Sequence, residues 1–94
     1  MVNTIYQVTY HRVFVKHFKQ RLGNDQKLLS RYEERFQRFL RDRKDRLIKD
    51  HNLTGKLSGK RAYWVSGDMR VVYREKEQGV IEFMDIGTHN QVYK

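Results

Sequence analysis

Apolar and polar residues recur with a helical period in the first half of the chain. Between residues 12 and 22, Phe14, Phe18 and Leu22 are spaced by four positions, so one face of a short helix is apolar. The same period continues over residues 25–47 in Leu28, Leu29, Tyr32, Phe36, Phe39, Leu40 and Leu47. The pattern predicts an antiparallel helical hairpin that packs on a sheet, because neither helix can bury its apolar side alone.

Polar residues of the same segments predict how the helices begin and end. Gly23 ends the first helix, and Asn24 or Asp25 can cap the second. The outer face of the second helix is predicted to carry Arg31, Arg35, Arg38, Asp42 and Lys49. Three acid–base pairs at i,i+4 spacing each support that helix by a few tenths of a kcal/mol: Glu34–Arg38, Asp42–Arg46 and Asp45–Lys49.

Four segments have the composition of β-strands: residues 4–10, 61–66, 69–75 and 80–86. Alternation in the third segment places Met69, Val71 and Tyr73 toward the helices and Arg70, Val72 and Arg74 on the open face. The last segment has apolar residues at both parities, so the pattern does not orient it. A polar loop, residues 48–60, connects the helices to the last three strands and carries His51.

These elements predict one domain over residues 1–94, the size of a single small domain. The predicted fold class is α/β of the α+β kind. It is an antiparallel helical hairpin packed on a small, mainly antiparallel, four-stranded twisted sheet in the order β-α-α-β-β-β.

Charge is distributed unevenly over this fold. The net charge is +9; residues 1–60 hold 15 lysines and arginines against 6 acids, whereas residues 61–94 hold 5 of each. A basic half beside a neutral half indicates a polyanionic partner, with a merely solubilising surface as the alternative. The chain has no cysteine, which excludes disulfides, thiolate metal sites and cysteine nucleophiles. It has no apolar stretch of membrane length and no leader-like beginning, so we expect a soluble, cytoplasmic protein that does not bind membranes.

The sequence lacks the motifs of several common catalytic and metal-binding sites, and this limits the reactions to be considered. The four histidines make no HxH or HExxH motif, the acids do not cluster, and no glycine-rich phosphate loop or serine elbow is present. We therefore expect no metal and no cofactor. Metal-free cleavage of RNA remains, which needs a base for the 2′-OH, an acid for the 5′-oxygen and cations for the phosphate. The available groups are His51, Asp68, Arg70, Arg74, His89 and Tyr93, each of which also has a plain structural alternative as a solvated, turn or capping residue.

Three motifs resemble those of a known family. They are Asp50-His51-x-Leu53-x-Gly55-x-Leu57-x-Gly59-x-Arg61, Gly67-Asp68-x-Arg70-Val71-Val72-Tyr73 and Asp85-Ile86-Gly87-Thr88-His89-x-x-Val92-Tyr93. Together they resemble the RelE/ParE toxin superfamily of bacterial type II toxin–antitoxin systems, and within it the YafQ-like branch of messenger-RNA interferases. The clear resemblance covers the last half of the chain.

The resemblance implies a small toxin that enters the ribosomal A site, cuts the mRNA codon there without a metal or cofactor, and is silenced by a cognate antitoxin. It implies catalytic roles for His51, Asp68, His89, Arg70 and Tyr93. Trp64 stands where the YafQ-like pattern has a second histidine, which either lowers catalytic activity or shifts more of the proton transfer onto His51, His89 and Asp68.

Further substrate contacts are predicted for Arg74, Trp64, Arg61, Lys56 and Lys60. Trp64 can stack on a base or serve as a core or interface aromatic, and both interpretations stay open. Two other functions also stay open: a ParE-like toxin that poisons DNA gyrase without a catalytic set, and an RNA-binding module without turnover. Besides the ribosome and mRNA, the unpaired positive charge and aromatic tail predict an antitoxin with an acidic, partly disordered segment.

Overall fold

The computed structural model describes residues 4–93, which form one five-stranded sheet and three helices. The strands are β1 (Gln7–Tyr10), β2 (His51–Asn52), β3 (Arg61–Ser66), β4 (Met69–Glu77) and β5 (Val80–Gly87), and the helices are α1 (Arg12–Leu22), α2 (Gln26–Arg41) and α3 (His89–Val92). The strand order is β1-β5-β4-β3-β2, with β1 parallel to β5 and the other pairs antiparallel. The predicted α+β class is confirmed, although β2 and α3 add to the predicted order and β1 is shorter than residues 4–10. No helix within the described range is long and apolar enough to cross a membrane.

The helical hairpin begins and turns at local side-chain and backbone contacts. His11 Nδ1 accepts a hydrogen bond from a first-turn N–H of α1 at 3.1 Å, and Asp25 Oδ1 caps α2 by accepting from Leu28 N–H at 3.0 Å. At the end of α1, Gly23 N–H donates to the Lys19 carbonyl at 3.2 Å. A Cβ on Gly23 would lie 2.5 Å from that oxygen, so the close turn between the helices requires glycine.

Helix α2 ends at Arg41, before the predicted end at residue 47. The carboxylates of Asp42 and Asp45 each accept a hydrogen bond from the backbone N–H two residues ahead, at 2.9 Å. Such local bonds compete with the helical pattern and turn the chain. Of the predicted pairs, Glu34–Arg38 forms at 2.5 Å, whereas Asp42–Arg46 and Asp45–Lys49 are absent among the described ion pairs.

The early end of α2 changes which residues are buried. Leu47, predicted to continue the apolar stripe, is 37% exposed, whereas Ile48 is fully buried and its carbonyl accepts from Trp64 N–H at 2.6 Å.

Arg35, predicted on the outer polar face of α2, is only 9% exposed. Its Nη1 donates to Glu34 Oε1 and its guanidinium carbon lies 4.8 Å from the centre of the Trp64 ring, and together these contacts accommodate the charge.

An aromatic core lies between the helical hairpin and one face of the sheet. Phe39 of α2 stacks on Tyr63 with ring centres 4.6 Å apart and meets Tyr73 edge-on at 4.9 Å. Phe83 of β5 contacts both α2 and α1, through Phe39 at 5.7 Å and Phe14 at 5.4 Å. The predicted inward set of β4, Met69, Val71 and Tyr73, belongs to this core and is confirmed.

A β-bulge explains why alternation does not orient β5. Val72 pairs with Asp85 and Tyr73 with Phe83, so Met84 is an extra residue on β5. The extra residue resets the alternation, and Ile81, Phe83 and Ile86 are therefore all fully buried in the core.

Candidate active site

Four of the predicted catalytic residues meet where β4 begins and α3 follows β5. The Asp68 carboxylate accepts a hydrogen bond from Arg70 Nη2 with one oxygen and from the His89 backbone N–H with the other, the latter at 3.0 Å. The Tyr93 ring centre lies 5.4 Å from the Arg70 guanidinium carbon and 4.6 Å from the His89 ring centre. We call Asp68, Arg70, His89 and Tyr93 the Asp68 cluster.

The short helix α3 brings His89 and Tyr93 into this cluster. Thr88 caps the helix, and its own N–H donates to Gln91 Oε1 at 2.8 Å, which completes a capping box. The preceding Gly87 pairs with Arg70 across the β4–β5 ladder. A Cβ on Gly87 would come within 2.8 Å of Gln91 Oε1, so glycine allows the helix to fold back against the sheet next to Arg70.

A cleft of about 310 Å³ opens beside the Asp68 cluster. His89 and Tyr93 form one wall, and the loop between β2 and β3 forms the other; its lining residues are Leu53, Thr54, Lys56, Leu57, His89 and Tyr93. Lys56 lies in the 3-10 turn Gly55–Leu57 and is exposed. Tyr93 Oη is buried and has no hydrogen-bond partner among residues 4–93. The structure thus places the predicted substrate contact Lys56 opposite two of the predicted catalytic residues.

A second cleft, of about 220 Å³, contains His51, the remaining predicted catalytic residue. Lys49, Trp64, Gly67 and Arg70 also line it, and the fully buried Tyr63 lies beneath it with its ring in the aromatic core. Arg70 therefore lies between the two clefts, because its guanidinium also packs on the Tyr93 ring of the first. His51 Nδ1 lies 2.8 Å from the Lys49 carbonyl, and the left-handed backbone of Lys49 (φ 51°) directs that carbonyl to the ring.

Trp64 is held from two sides in the second cleft. Its Nε1–H donates to the Gly67 carbonyl at 2.8 Å. Cations of Arg35 and Lys49 lie 4.8 Å and 5.6 Å from its ring centre. The side chain is half-buried, so the ring is both a packing element under α2 and part of a cleft wall. Sequence reasoning missed Arg35, because the helical period assigned it to the solvent face.

Arg61, a predicted substrate contact, is engaged within the protein by three acceptors. Its Nε donates to Asp50 Oδ1 at 2.9 Å and to Tyr73 Oη at 3.2 Å, and its Nη1 donates to Asn52 Oδ1 at 2.6 Å. Tyr73 Oη in turn donates to Asp50 Oδ2 at 2.5 Å. We call Asp50, Asn52, Arg61 and Tyr73 the Asp50 network. Arg61 and Tyr73 are too far from Asp50 in sequence for any spacing rule to indicate that the three side chains meet.

Burial dominates the electrostatics of the Asp50 network. The Asp50 side chain is 2% exposed, and this desolvation raises the pKa of its carboxyl against the opposing effects of the Tyr73 hydrogen bond and the Arg61 charge. Desolvation, and next the charge of Asp50, raises the pKa of Tyr73 as well. The hydroxyl therefore stays protonated and remains a donor to Asp50.

The other two predicted substrate contacts lie elsewhere. Arg74 forms an ion pair with Glu82 across the β4–β5 ladder at 2.8 Å. It is four residues beyond Arg70 on the same strand, a distance of about 13 Å. Lys60 is half-buried at the start of β3, where its carbonyl accepts from Leu53 N–H at 2.9 Å. Across the described part of the chain, no three His, Asp or Glu side chains are placed to hold a metal ion together.

Solved structures of bacterial toxins share this fold. A copper-bound mutant toxin from Helicobacter pylori has a TM-score of 0.71 and 25% identity, with 94% of this chain and 99% of that chain covered. A YoeB/ParE toxin from Agrobacterium tumefaciens has a TM-score of 0.74 and 16% identity, with 89% and 99% covered. The E. coli DinJ–YafQ toxin–antitoxin complex has a TM-score of 0.65 and 20% identity, with 99% and 100% covered.

Sequence comparison identifies the family. No curated protein sequence matches the chain significantly. The family model of the YafQ toxin, a bacterial toxin of type II toxin–antitoxin systems, matches residues 6–94. That range includes all the motifs that carry the resemblance, together with both long helices and the whole sheet. The chain therefore belongs to the YafQ family of type II toxin–antitoxin toxins.

Proposed function

We propose that this toxin is a ribosome-dependent endoribonuclease that cleaves translated mRNA in the A site of cytoplasmic ribosomes. The observation that carries the proposal is the position of Arg70 between two clefts, with His51 in one and His89 in the other. A phosphate bound to the Arg70 guanidinium would lie at the border of the cleft that contains His51 and the cleft that contains His89. Cleavage of RNA by its own 2′-OH requires an acid and a base on opposite sides of phosphorus.

The chemistry is an intramolecular transesterification. A base removes the proton of the 2′-OH, the 2′-oxygen bonds to phosphorus, and the bond from phosphorus to the 5′-oxygen breaks as an acid protonates that oxygen. The products are a 2′,3′-cyclic phosphate and a 5′-hydroxyl end. Arg70 and Lys56 supply positive charge for the phosphate oxygens, and Asp68 holds the Arg70 fork in place. The proposed reaction uses no metal and no cofactor.

We assign the base to His51. A carbonyl oxygen only accepts hydrogen bonds, so the 2.8 Å contact with the Lys49 carbonyl places the proton of the neutral ring on Nδ1. Nε2 then carries a free lone pair that can take the 2′-OH proton. The acid is His89, whose backbone N–H is fixed by Asp68 and whose exposed ring can regain a proton from solvent after each turnover.

Aromatic residues of the two clefts hold the flanking nucleotides. Tyr93 lines the first cleft beside Arg70 and His89, so its ring can stack on a base. Trp64 keeps one ring edge on Gly67 and lines the His51 cleft, where it serves as a second stacking surface.

Cleavage of a defined mRNA during in vitro translation tests this function. Primer extension should show new 5′-hydroxyl ends in the translated message with the wild-type toxin, and none when ribosomes are omitted. His89→Ala should lower the cleavage rate by roughly 100-fold or more. Asn90→Ala, an exposed change in the same short helix, is the matched control and should cleave normally. Intact mRNA with accumulated cleaved DNA–gyrase complexes would overturn the proposal in favour of a gyrase poison, and salt-sensitive RNA binding without cleavage would overturn it in favour of a binding module.

We further propose that a cognate antitoxin binds this toxin, as DinJ binds YafQ in the E. coli complex. The support is an apolar groove of about 300 Å³ between α1 and α2 that is lined by Tyr10, Phe14, Val15, Phe18, Lys19 and Tyr32. Arg12, Lys16 and Lys19 are exposed on α1 and make no ion pair within residues 4–93. A groove of this kind fits an amphipathic segment whose polar side is acidic.

Binding measurements in increasing salt test the antitoxin proposal. A neighbouring acidic protein should relieve growth arrest and bind the toxin less tightly as salt rises. Val15→Asp should weaken that binding, because Val15 is 41% exposed in the groove. An antitoxin that binds Val15→Asp as tightly as wild type would place its site elsewhere.

A further inference from the structure

The strand that carries His51 is too short to hold the residue by itself. β2 has only two residues and pairs with β3 at the edge of the sheet, His51 opposite Ala62 and Asn52 opposite Arg61. Two further backbone bonds flank the strand, from Trp64 N–H to the Ile48 carbonyl at 2.6 Å and from Leu53 N–H to the Lys60 carbonyl at 2.9 Å, but this pairing lies at the edge of the sheet, where backbone bonds open readily. The exposed His51 ring nevertheless needs a fixed position if it is to take a proton from one particular oxygen.

The Asp50 network holds the residues on both sides of His51. Arg61 donates to Asp50 at 2.9 Å, before the histidine, and to Asn52 at 2.6 Å, after it. Tyr73 of β4 donates to the second Asp50 oxygen at 2.5 Å. The Arg61 guanidinium thus bonds both neighbours of His51 to β3. The Tyr73 hydroxyl bonds one of them, Asp50, to β4 as well.

The network lies on the opposite side of the sheet from the proposed reaction. Arg61 is the register partner of both Asn52 and Tyr73, so these three side chains share the face that packs on the helices. His51 precedes Asn52 and therefore points to the other face, which it shares with its partner Ala62 and with Arg70. Arg61 cannot reach a phosphate that is bound to Arg70 and His51.

We propose that Arg61, Asp50 and Tyr73 are positioning residues that fix His51 for catalysis, and that Arg61 does not contact the substrate. The inference rests on the proposed nuclease function and replaces the substrate contact predicted for Arg61. Arginine is required because only its planar fork reaches acceptors on both sides of the histidine. Tyrosine is required at position 73 for its hydroxyl, since the ring alone would complete the core.

The chain offers a matched control for the Tyr73 hydroxyl. Tyr63 and Tyr73 are both fully buried, and both rings pack on Phe39. Tyr63 Oη has no hydrogen-bond partner among the described residues, whereas Tyr73 Oη bonds to Asp50. Tyr73→Phe and Tyr63→Phe therefore remove the same atom from similar surroundings, but only the first removes a contact to the network.

Single-turnover cleavage of ribosome-bound mRNA over a range of toxin concentrations is the first test. Tyr73→Phe should lower the rate at saturation about 3- to 10-fold and Arg61→Lys roughly 10- to 100-fold, with the half-saturating concentration unchanged. Tyr63→Phe should leave both values unchanged. Arg38 of α2 supplies the control for loss of an arginine fork, because its guanidinium bonds to Glu34 and Asp45, which are not members of the Asp50 network; Arg38→Lys should leave both values unchanged. A higher half-saturating concentration with an unchanged rate for Arg61→Lys, or equal losses for the two tyrosine variants, would overturn the inference.

Nuclear magnetic resonance of the His51 ring nitrogens gives a second readout that needs no cleavage. The wild-type ring should show one sharp signal set of the form with the proton on Nδ1. Arg61→Lys and Tyr73→Phe should broaden or average these signals, and Tyr63→Phe should not. Absence of mRNA cleavage by the wild type would refute the nuclease proposal alone; unchanged His51 signals in Arg61→Lys and Tyr73→Phe would refute the positioning inference in either case.

Discussion

The molecule contains the same trio of residue types twice, an aspartate with an arginine and a tyrosine. In the Asp68 cluster, Asp68 is 57% exposed, and Arg70 packs on the Tyr93 ring without using its hydroxyl. In the Asp50 network, Asp50 is 2% exposed and accepts from both Arg61 and the Tyr73 hydroxyl. The open trio exposes its carboxylate and lines a cleft with its arginine, whereas the closed trio buries its carboxylate and binds its arginine and tyrosine to it. Burial of the carboxylate, and not residue type, separates a site that can bind a ligand from one that can only position other residues.

The largest effect is expected on mRNA cleavage when the arginine of the Asp68 cluster is removed. Arg70→Ala should lower the single-turnover cleavage rate roughly 10²- to 10³-fold, because it removes the guanidinium that meets the developing charge on phosphorus. The urea midpoint of unfolding should stay close to wild type, since within residues 4–93 the ion pair of Arg70 is with the exposed Asp68. A large fall in stability would make Arg70 a structural residue and weaken its assigned role.

The second expected difference between the Asp50 network and the Asp68 cluster is in their contribution to stability. Asp50→Ala removes the acceptor of the Tyr73 hydroxyl and one of the three acceptors of the Arg61 guanidinium, and it should lower the free energy of unfolding by about 2–4 kcal/mol. Because Arg61 is 34% exposed and can turn to water, the lower part of that range is expected. Asp68→Ala should change stability by less than about 0.5 kcal/mol while reducing cleavage. Urea unfolding of both variants measures the difference; equal losses would remove the distinction between the two trios.

The smallest expected effect is a difference in pH dependence between two carboxylates that line one surface cleft. Burial raises the pKa of Asp50 above its usual 3.8, so its contribution to stability is present below pH 3.8 and is lost as pH rises through the raised value. The hydrogen bonds from Arg43 lower the pKa of Glu75 below its usual 4.5, so its contribution is present above pH 4.5 and is lost as pH falls through the lowered value.

Thermal unfolding from pH 3 to pH 6 checks these signs. The stability of wild type relative to Asp50→Asn should fall as pH rises, and relative to Glu75→Gln it should rise. Slopes of the same sign would show that burial does not dominate the titration of Asp50.

Local patterns were sufficient to predict much of the fold. Phe14, Phe18 and Leu22 correctly predicted α1, and the alternation in β4 correctly placed Met69, Val71 and Tyr73 in the core. The end of α2 was predicted wrongly, because two aspartates that look like helix ion-pair partners bond to the backbone instead. Periodicity cannot distinguish these choices, since their energies differ by only tenths of a kcal/mol and tertiary contacts decide between them.

In the candidate site, too, the sequence predicted some features and tertiary contacts decided others. Motifs in the sequence indicated His51, Asp68, Arg70, His89 and Tyr93, and their catalytic roles stay a prediction. Arg61 belongs to the same motifs, but the residues that occupy its guanidinium come from two other strands and the end of a loop. A motif records which residues recur, and it does not record which face of the sheet each one occupies.

The sequence by itself determined the helical hairpin, the strand segments, the charge asymmetry and the family, because each depends on local period, composition or linear motifs. Only the tertiary structure decided that Arg70 lies between two clefts, that Trp64 packs under Arg35, and that Asp50, Arg61 and Tyr73 close on one another. These outcomes depend on burial and on β-bulges that shift strand register, and the free energy of both is set by residues far apart in the chain.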